Sequence, residues 1–431
     1  MIIDDRVNVT FGSLLDQVHL PKMYRVRQHF PEEHILDVRS AVRSEMERLF
    51  AGRCLAGQSI AVTAGSRGIS HSCEIMEEII GFFKKQGAVP FVVPSMGSHG
   101  GGTPEGQLEM LAHLGLSPER LGVEFRAEMD VIPIGKLSNG TPVYFSKAAS
   151  QADGVFIWNK IKPHADFKAE HESGLVKMLA IGLGKHVGCA SLHQQGFENF
   201  SWVLPEAAEL ILKTQNIMGG LAVVENAYDQ PMHLEAVRPE QIVQRDGVLL
   251  RLAKENMATL RLKDLDVLIV DEIGKNISGE GMDPNVTGRP GSYLNEGFDS
   301  IRIKSIVILD VTEASGGNGA GIGMADLTTL RCVKKLDLGA MYTNSITAGI
   351  LGPSKIPIAL NDDREAILTA IRTGAYRTPS APRIVRIQNT LKLDELWVSE
   401  AVAPEYAALE HTQLLDEVTM AFDENGRLLP M

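Results

Sequence analysis

Ile60-Ala61-Val62-Thr63-Ala64-Gly65-Ser66-Arg67-Gly68 begins as an apolar strand and ends in a glycine-flanked turn, and its reading decides the fold. The turn leads into a helix whose apolar face carries Ile75, Ile79 and Phe83, the spacing of a helix packed on one side. Gly87 stops that helix. A second apolar strand, Val89 to Val93, runs into Pro94-Ser95-Met96-Gly97-Ser98-His99-Gly100-Gly101-Gly102, after which Thr103 suits an N-cap and Pro104 the first helical position. Together these make a βαβ unit. Ligands of open α/β sheets gather at the carboxyl ends of strands, which is where the Arg67 turn and the His99 loop fall.

The alternation continues along the chain. Further apolar strands are expected at Gly154 to Trp158, Leu221 to Val224, Val267 to Val270 and Ile306 to Leu309, separated by polar or glycine-rich segments. The stretch Pro239 to Met257 is polar and helical, and a fresh apolar strand opens at Asp266. The expectation is an α/β protein of two α/β domains, 1–264 and 265–431, with mainly parallel sheets and an active-site cleft between them. The tail after Leu414 is expected to fold back on the first domain.

Composition narrows the function. A length of 431 residues suits two cores, and a net charge of −12 lacks the concentrated basic surface that nucleic-acid backbones require. No stretch reaches the roughly 20 apolar residues of a membrane span, and the start has no secretory-signal pattern. The four cysteines, Cys54, Cys73, Cys189 and Cys332, form no CxxC pair or disulfide framework. A reducing, cytoplasmic setting is expected, with a small-molecule substrate, no nucleic-acid or membrane partner, and a homo-oligomer allowed.

Four polar clusters join ionisable side chains to glycine at strand ends. In the first two, Gly65 to Gly68 and Ser98 to Gly102, glycine lets backbone amides approach an anion and Arg67 offers a planar fork for phosphate or carboxylate. The third runs from Asn159 to Lys177 and crowds Lys160, Lys162, His164, Asp166, Lys168, Glu170, His171 and Glu172 between an apolar strand and the glycine-spaced stretch Met178 to Gly184. That position favours a pocket wall over a solvated face. His164, next to Pro163, suits an acid or base with a fixed backbone. The fourth cluster, Asp271 to Gly279 continuing to Arg289, supplies the cations Lys275 and Arg289. A glycine-rich run from Ser315 to Gly323 lacks the Walker lysine and reads as a tight structural loop.

The set Ser66-Arg67, His99, His164, Lys177 and His193 resembles the nickel-pincer lactate racemase family in order and approximate spacing. Asp283-Pro284-Asn285 is similar to a short motif in that family's second domain. The resemblance implies a nickel-pincer nucleotide joined covalently to Lys177, with His193 completing the nickel coordination. It implies His99 and His164 as alternating acid and base on the two sides of a 2-hydroxy acid, and Ser66, Arg67 and Ser173 as cofactor-binding residues. Lys275, Asn285 and Arg289 would bind substrate, and cofactor maturation proteins would be partners.

A racemase or epimerase acting at C2 is therefore expected. Removing the weakly acidic C2 hydrogen as hydride, while a base takes the hydroxyl proton, avoids a costly carbanion, and inversion calls for an acid/base on each side. Thr287-Gly288-Arg289 departs from the aromatic-amide pair of lactate enzymes, which points to a substrate larger or more polar than lactate. From the residues alone other readings stay open. They are a divalent-metal lyase or hydrolase using the same histidines, a zinc site drawn from His164, His171, His186 and His193, and a non-catalytic binder of a nucleotide or sugar acid.

Overall fold

The computed structural model describes residues 12–66 and 68–431, which form two compact units. One comprises residues 31–257. Its five-stranded sheet runs, in spatial order, Val89–Pro94, Ser59–Ala64, Gly154–Lys160, Ile217–Glu225 and Pro231–Val237. The first four strands are parallel, with Ile60 opposite both Pro90 and Gly154, and the last is antiparallel, with Gly220 opposite Val237. Strands covered on both faces read as unbroken apolar runs, and Ile217–Glu225 is buried at every position.

The helices cover that sheet for equally local reasons. Ser72–Lys85 buries Ile75, Met76, Ile79, Ile80, Phe82 and Phe83, and with Val38–Leu49 it shares one hydrophobic core with the sheet residues Ile60, Val62, Phe156 and Leu221. Phe50, Phe82, Phe83 and Phe156 pack there with centroids 5.3 to 5.9 Å apart. Thr103 caps Pro104–His113, its hydroxyl accepting from the Gly106 amide at 3.1 Å.

The other unit joins residues up to Phe30 with 258–431. Its eight-stranded sheet has the order Ile358–Leu360, Leu327–Thr329, Arg302–Val311, Asp264–Ile273, Ile384–Ile387, Glu395–Ser399, Met23–Gln28 and Thr412–Val418. The first five are parallel and the last three antiparallel. Helix Asp363–Gly374 lays Ala366, Ile367, Ala370 and Ile371 on Val267, Ile269 and Val307.

The α/β class stands, and the division of the chain differs from the sequence reading. The boundary falls at Met257/Ala258, and the early strand Met23–Gln28 belongs with the later residues, since Met23 pairs with Ser399 and with Val418. The tail likewise stays in that later unit, because Thr412–Val418 finds its partner in the early strand. Among the described residues no single helix is long and apolar enough to cross a membrane.

Candidate active site

The carboxyl edge of the five-stranded sheet collects the polar residues of the 31–257 unit. Lys160, at the end of its strand, is half-buried and ion-paired with the buried Glu225, whose other oxygen accepts the Ser70 amide at 2.7 Å. Burial alone would lower the Lys160 pKa, but Glu225 and Asp229 outweigh it and hold the ammonium above its ordinary range. The turn after Ser59–Ala64 is thereby tied to the strand Ile217–Glu225. From that turn, the Ser66 hydroxyl hydrogen-bonds His99 Nδ1. The His99 loop is held in turn by Gln107, whose amide nitrogen donates to the carbonyls of Gly97 at 3.0 Å and His99 at 3.3 Å.

His164 lies on the loop between Gly154–Lys160 and the Lys177 segment. Lys162 and Ser173 exchange backbone hydrogen bonds of 2.9 and 3.2 Å that close the loop at its base. The Asp166 amide donates to His164 Nδ1 at 3.0 Å, leaving Nε2 as the nitrogen that meets Lys177 Nζ. Burial, followed by the positive field of Lys177, His193, Lys162 and Lys168, holds the His164 pKa well below 6.5, so the ring is neutral near pH 7.

Two buried carboxylates carry this loop. Glu172 accepts from the amides of His164 at 2.6 Å and Ala169 at 3.2 Å, and from Lys254 Nζ at 2.6 Å. Asp246 accepts the Val176 amide at 3.2 Å and faces His171 Nδ1 at 3.3 Å. Both Lys254 and Asp246 lie on helix Ile242–Asn256, which sets the two ends of the loop from one element.

His193 ends helix Lys185–His193. Its Nδ1 lies 2.8 Å from the Cys189 carbonyl and 3.4 Å from the Cys189 sulfur. Assigning the ring proton to Nδ1, where the carbonyl accepts it, leaves the Nε2 lone pair for a metal. Burial pushes the Cys189 thiol up, but hydrogen bonds with His193 and Ser98 outweigh it and leave the thiol below its ordinary range. An aromatic cluster unites the two histidines: His164 packs on Phe167 at 4.5 Å and Phe197 at 5.9 Å, and His193 packs on Phe197 at 5.5 Å and Phe200 at 5.1 Å. The His99 loop joins the group through Cys189, since Ser98 Oγ is 3.8 Å from its sulfur and a Cβ on Gly97 would stand 3.0 Å from that atom.

Ser66, His99, His164, Lys177 and His193 thus occupy one edge of one unit. Among the described residues no trio of His, Cys, Asp and Glu is placed to hold a metal ion, so a metal at His193 would draw its other donors from a bound group. Arg67 lies outside the described residues.

No family model matches the sequence, and no curated protein matches it. Among solved structures, the chain is similar to the lactate racemase apoprotein from Thermoanaerobacterium thermosaccharolyticum, with a TM-score of 0.51 and 15% sequence identity. The match covers 86% of this chain and 98% of that one. The fold is lactate racemase-like.

Within this lactate racemase-like fold the three residues assigned to substrate from the sequence belong to the other unit. Lys275 donates to the Gly279 carbonyl, and Asn285 turns back on Asp283, its backbone and side-chain nitrogens both meeting Oδ1 at 2.9 and 2.7 Å. Arg289 is held by its own surroundings. Its guanidinium is engaged by Asp326 at 2.6 Å and by the carbonyls of Met324, Ile303 and Lys304 at 3.1, 2.7 and 3.1 Å, a clamp on its own unit. Sequence reasoning also passed over Glu172, Asp246, Cys189 and the Phe197/Phe200 pair. Glu172 stood in view inside the charged run, and the three-residue step from Phe197 to Phe200 beside His193 was the available sign of the aromatic cluster.

Proposed function

We propose that this chain is an isomerase that inverts C2 of a 2-hydroxy acid, with a nickel-pincer nucleotide carried on Lys177 and its nickel ligated by His193. The observation that supports this most is the grouping of Lys177, His164 and His193 around Phe167, Phe197 and Phe200. The residues fit the group: an amine for covalent attachment, and one imidazole with Nε2 open where a metal needs few protein donors. When bound, the group supplies a hydride acceptor and donor at C2.

The chain's own residues supply the rest. A neutral His164 can take the substrate hydroxyl proton at Nε2 once its ring hydrogen sits on Nδ1, a tautomer that releases the Asp166 amide. His99, steadied by Ser66 at Nδ1, presents its other nitrogen for the same task, and one base on each side of the substrate is what inversion needs. The aromatic cluster gives His164 and His193 an apolar wall. Lys275 and Arg289 both have partners within their own unit, so the proposed substrate class is 2-hydroxy acids in general. Loading the group calls for maturation proteins, in keeping with a cytoplasmic enzyme.

The test is co-expression with the cofactor's maturation system, followed by peptide mass analysis, nickel determination and deuterium exchange at C2 across a hydroxy-acid panel. A mass adduct on Lys177, bound nickel and C2 exchange are expected. An active preparation with unmodified Lys177 and no nickel would exclude this reading.

A further inference from the structure

Lys185 is a fully buried lysine that neither the sequence pattern nor the proposed chemistry uses. It stands where the chain turns by 104° between Leu175–Gly182, which carries Lys177, and Lys185–His193, which carries His193. Its backbone has φ of +54°, a left-handed conformation that glycine adopts freely and other residues rarely hold unless their surroundings fix them. Its side chain is anchored at the far end, where Nζ donates to the Pro94 carbonyl at 2.7 Å. Pro94 is the last residue of the strand Val89–Pro94, from which the chain continues through Ser95 to His99.

The contact belongs to a close seam. A Cβ on Gly182 would come within 2.7 Å of the Ser95 carbonyl oxygen, so the bend presses directly on the strand end. On its far side the Leu183 carbonyl accepts the Ser146 amide at 2.7 Å. The turn between the Lys177 and His193 segments is therefore held between two strand ends, with the buried ammonium as its clamp on the His99 side.

We propose that Lys185 is a positioning residue: its bond to the Pro94 carbonyl sets the bend between the Lys177 and His193 segments and fixes the start of the His99 loop against it. Its effect on turnover rests on the function proposed above. The tether itself is a property of the chain and can be read without the cofactor.

The experiment compares the full chain with Lys185→Met, which keeps the length and loses the donor, and Lys185→Asn, which tolerates the left-handed backbone and cannot reach Pro94. Amide hydrogen exchange is followed by mass spectrometry on the unloaded proteins, and kcat and KM for C2 exchange are measured after co-expression with the maturation system. In whichever variant folds, residues 95–103 should exchange about tenfold faster while the strand Ile217–Glu225 keeps its protection. After loading, kcat should fall about tenfold or more with KM within about threefold, the mark of displaced catalytic groups. Wild-type exchange at 95–103, or acceleration spread evenly over the unit, overturns the proposal. If wild-type Lys177 carries no adduct in an active preparation while the local exchange change is present, the reaction falls and the tether stands.

Discussion

The His164 amide donates to Glu172 Oε2 at 2.6 Å, inside the charged run that the sequence reads as a pocket wall. Glu172 is 1% exposed, and its other oxygen, Oε1, accepts from both the Ala169 amide and Lys254. A Glu172→Gln variant replaces one acceptor by a donor facing those N–H groups. Breaking a buried charged hub of this kind costs about 3 kcal/mol, read as a lower denaturation midpoint, and it releases His164 from its place, so kcat for C2 exchange should drop by about tenfold or more. A variant with wild-type stability and turnover would remove Glu172 from this role.

How much of this was legible follows from where the information lies. The strands Ser59–Ala64, Val89–Pro94, Gly154–Lys160 and Ile217–Glu225 were readable because parallel strands buried on both faces must be continuously apolar. Thr103 announced its helix because capping is local chemistry. Met23–Gln28 gave no hint of its sheet, since Met23 pairs with Ser399 and no local pattern encodes so distant a partner. Within the charged run, residue type does not say which carboxylate turns inward, so Glu172 was in view but its burial was not. His99, His164, Lys177 and His193 were singled out as a set by the family resemblance, whereas Lys185, just past the apolar stretch Met178 to Gly184, drew no attention because a bend leaves no periodic mark.

Neutral His164 makes stability depend on acid. In the unfolded chain this histidine protonates near its ordinary pKa of about 6.5, whereas burial and the surrounding cations keep the folded ring neutral to much lower pH. The unfolded state then binds the extra proton, and the native state loses stability as pH falls below about 6.5. His164→Asn should flatten this part of the profile, with the melting temperature falling less between pH 7 and 5 than in the wild type. Parallel profiles would show that His164 is not a source of the acid sensitivity.

Arg289 should behave as a structural residue. Arg289→Met leaves the carbonyls of Ile303, Lys304 and Met324 without this donor and Asp326 without its cation, a loss of about 2 kcal/mol from the unit that holds it. The thermal transition should move down while KM for the hydroxy acid stays within about twofold of the wild type. A large rise in KM at unchanged stability would return Arg289 to the substrate.

Lys185 supplies a prediction at the alkaline end. Burial lowers its pKa to about 8 from 10.5, so the folded protein gives up this proton well before the unfolded chain does. Below pH 8 both states hold the proton, and burying the charge costs the native state a constant amount, about 3 kcal/mol at roughly 1.4 kcal/mol per pKa unit. Between pH 8 and 10.5 only the unfolded chain holds it, so wild-type stability gains on Lys185→Met as pH rises, and above that window the difference is again constant. Denaturation midpoints of the two proteins at pH 7, 9 and 10.5 measure the gap directly. A gap that does not move with pH would mean that Lys185 keeps an ordinary ammonium in the fold, in contact with water.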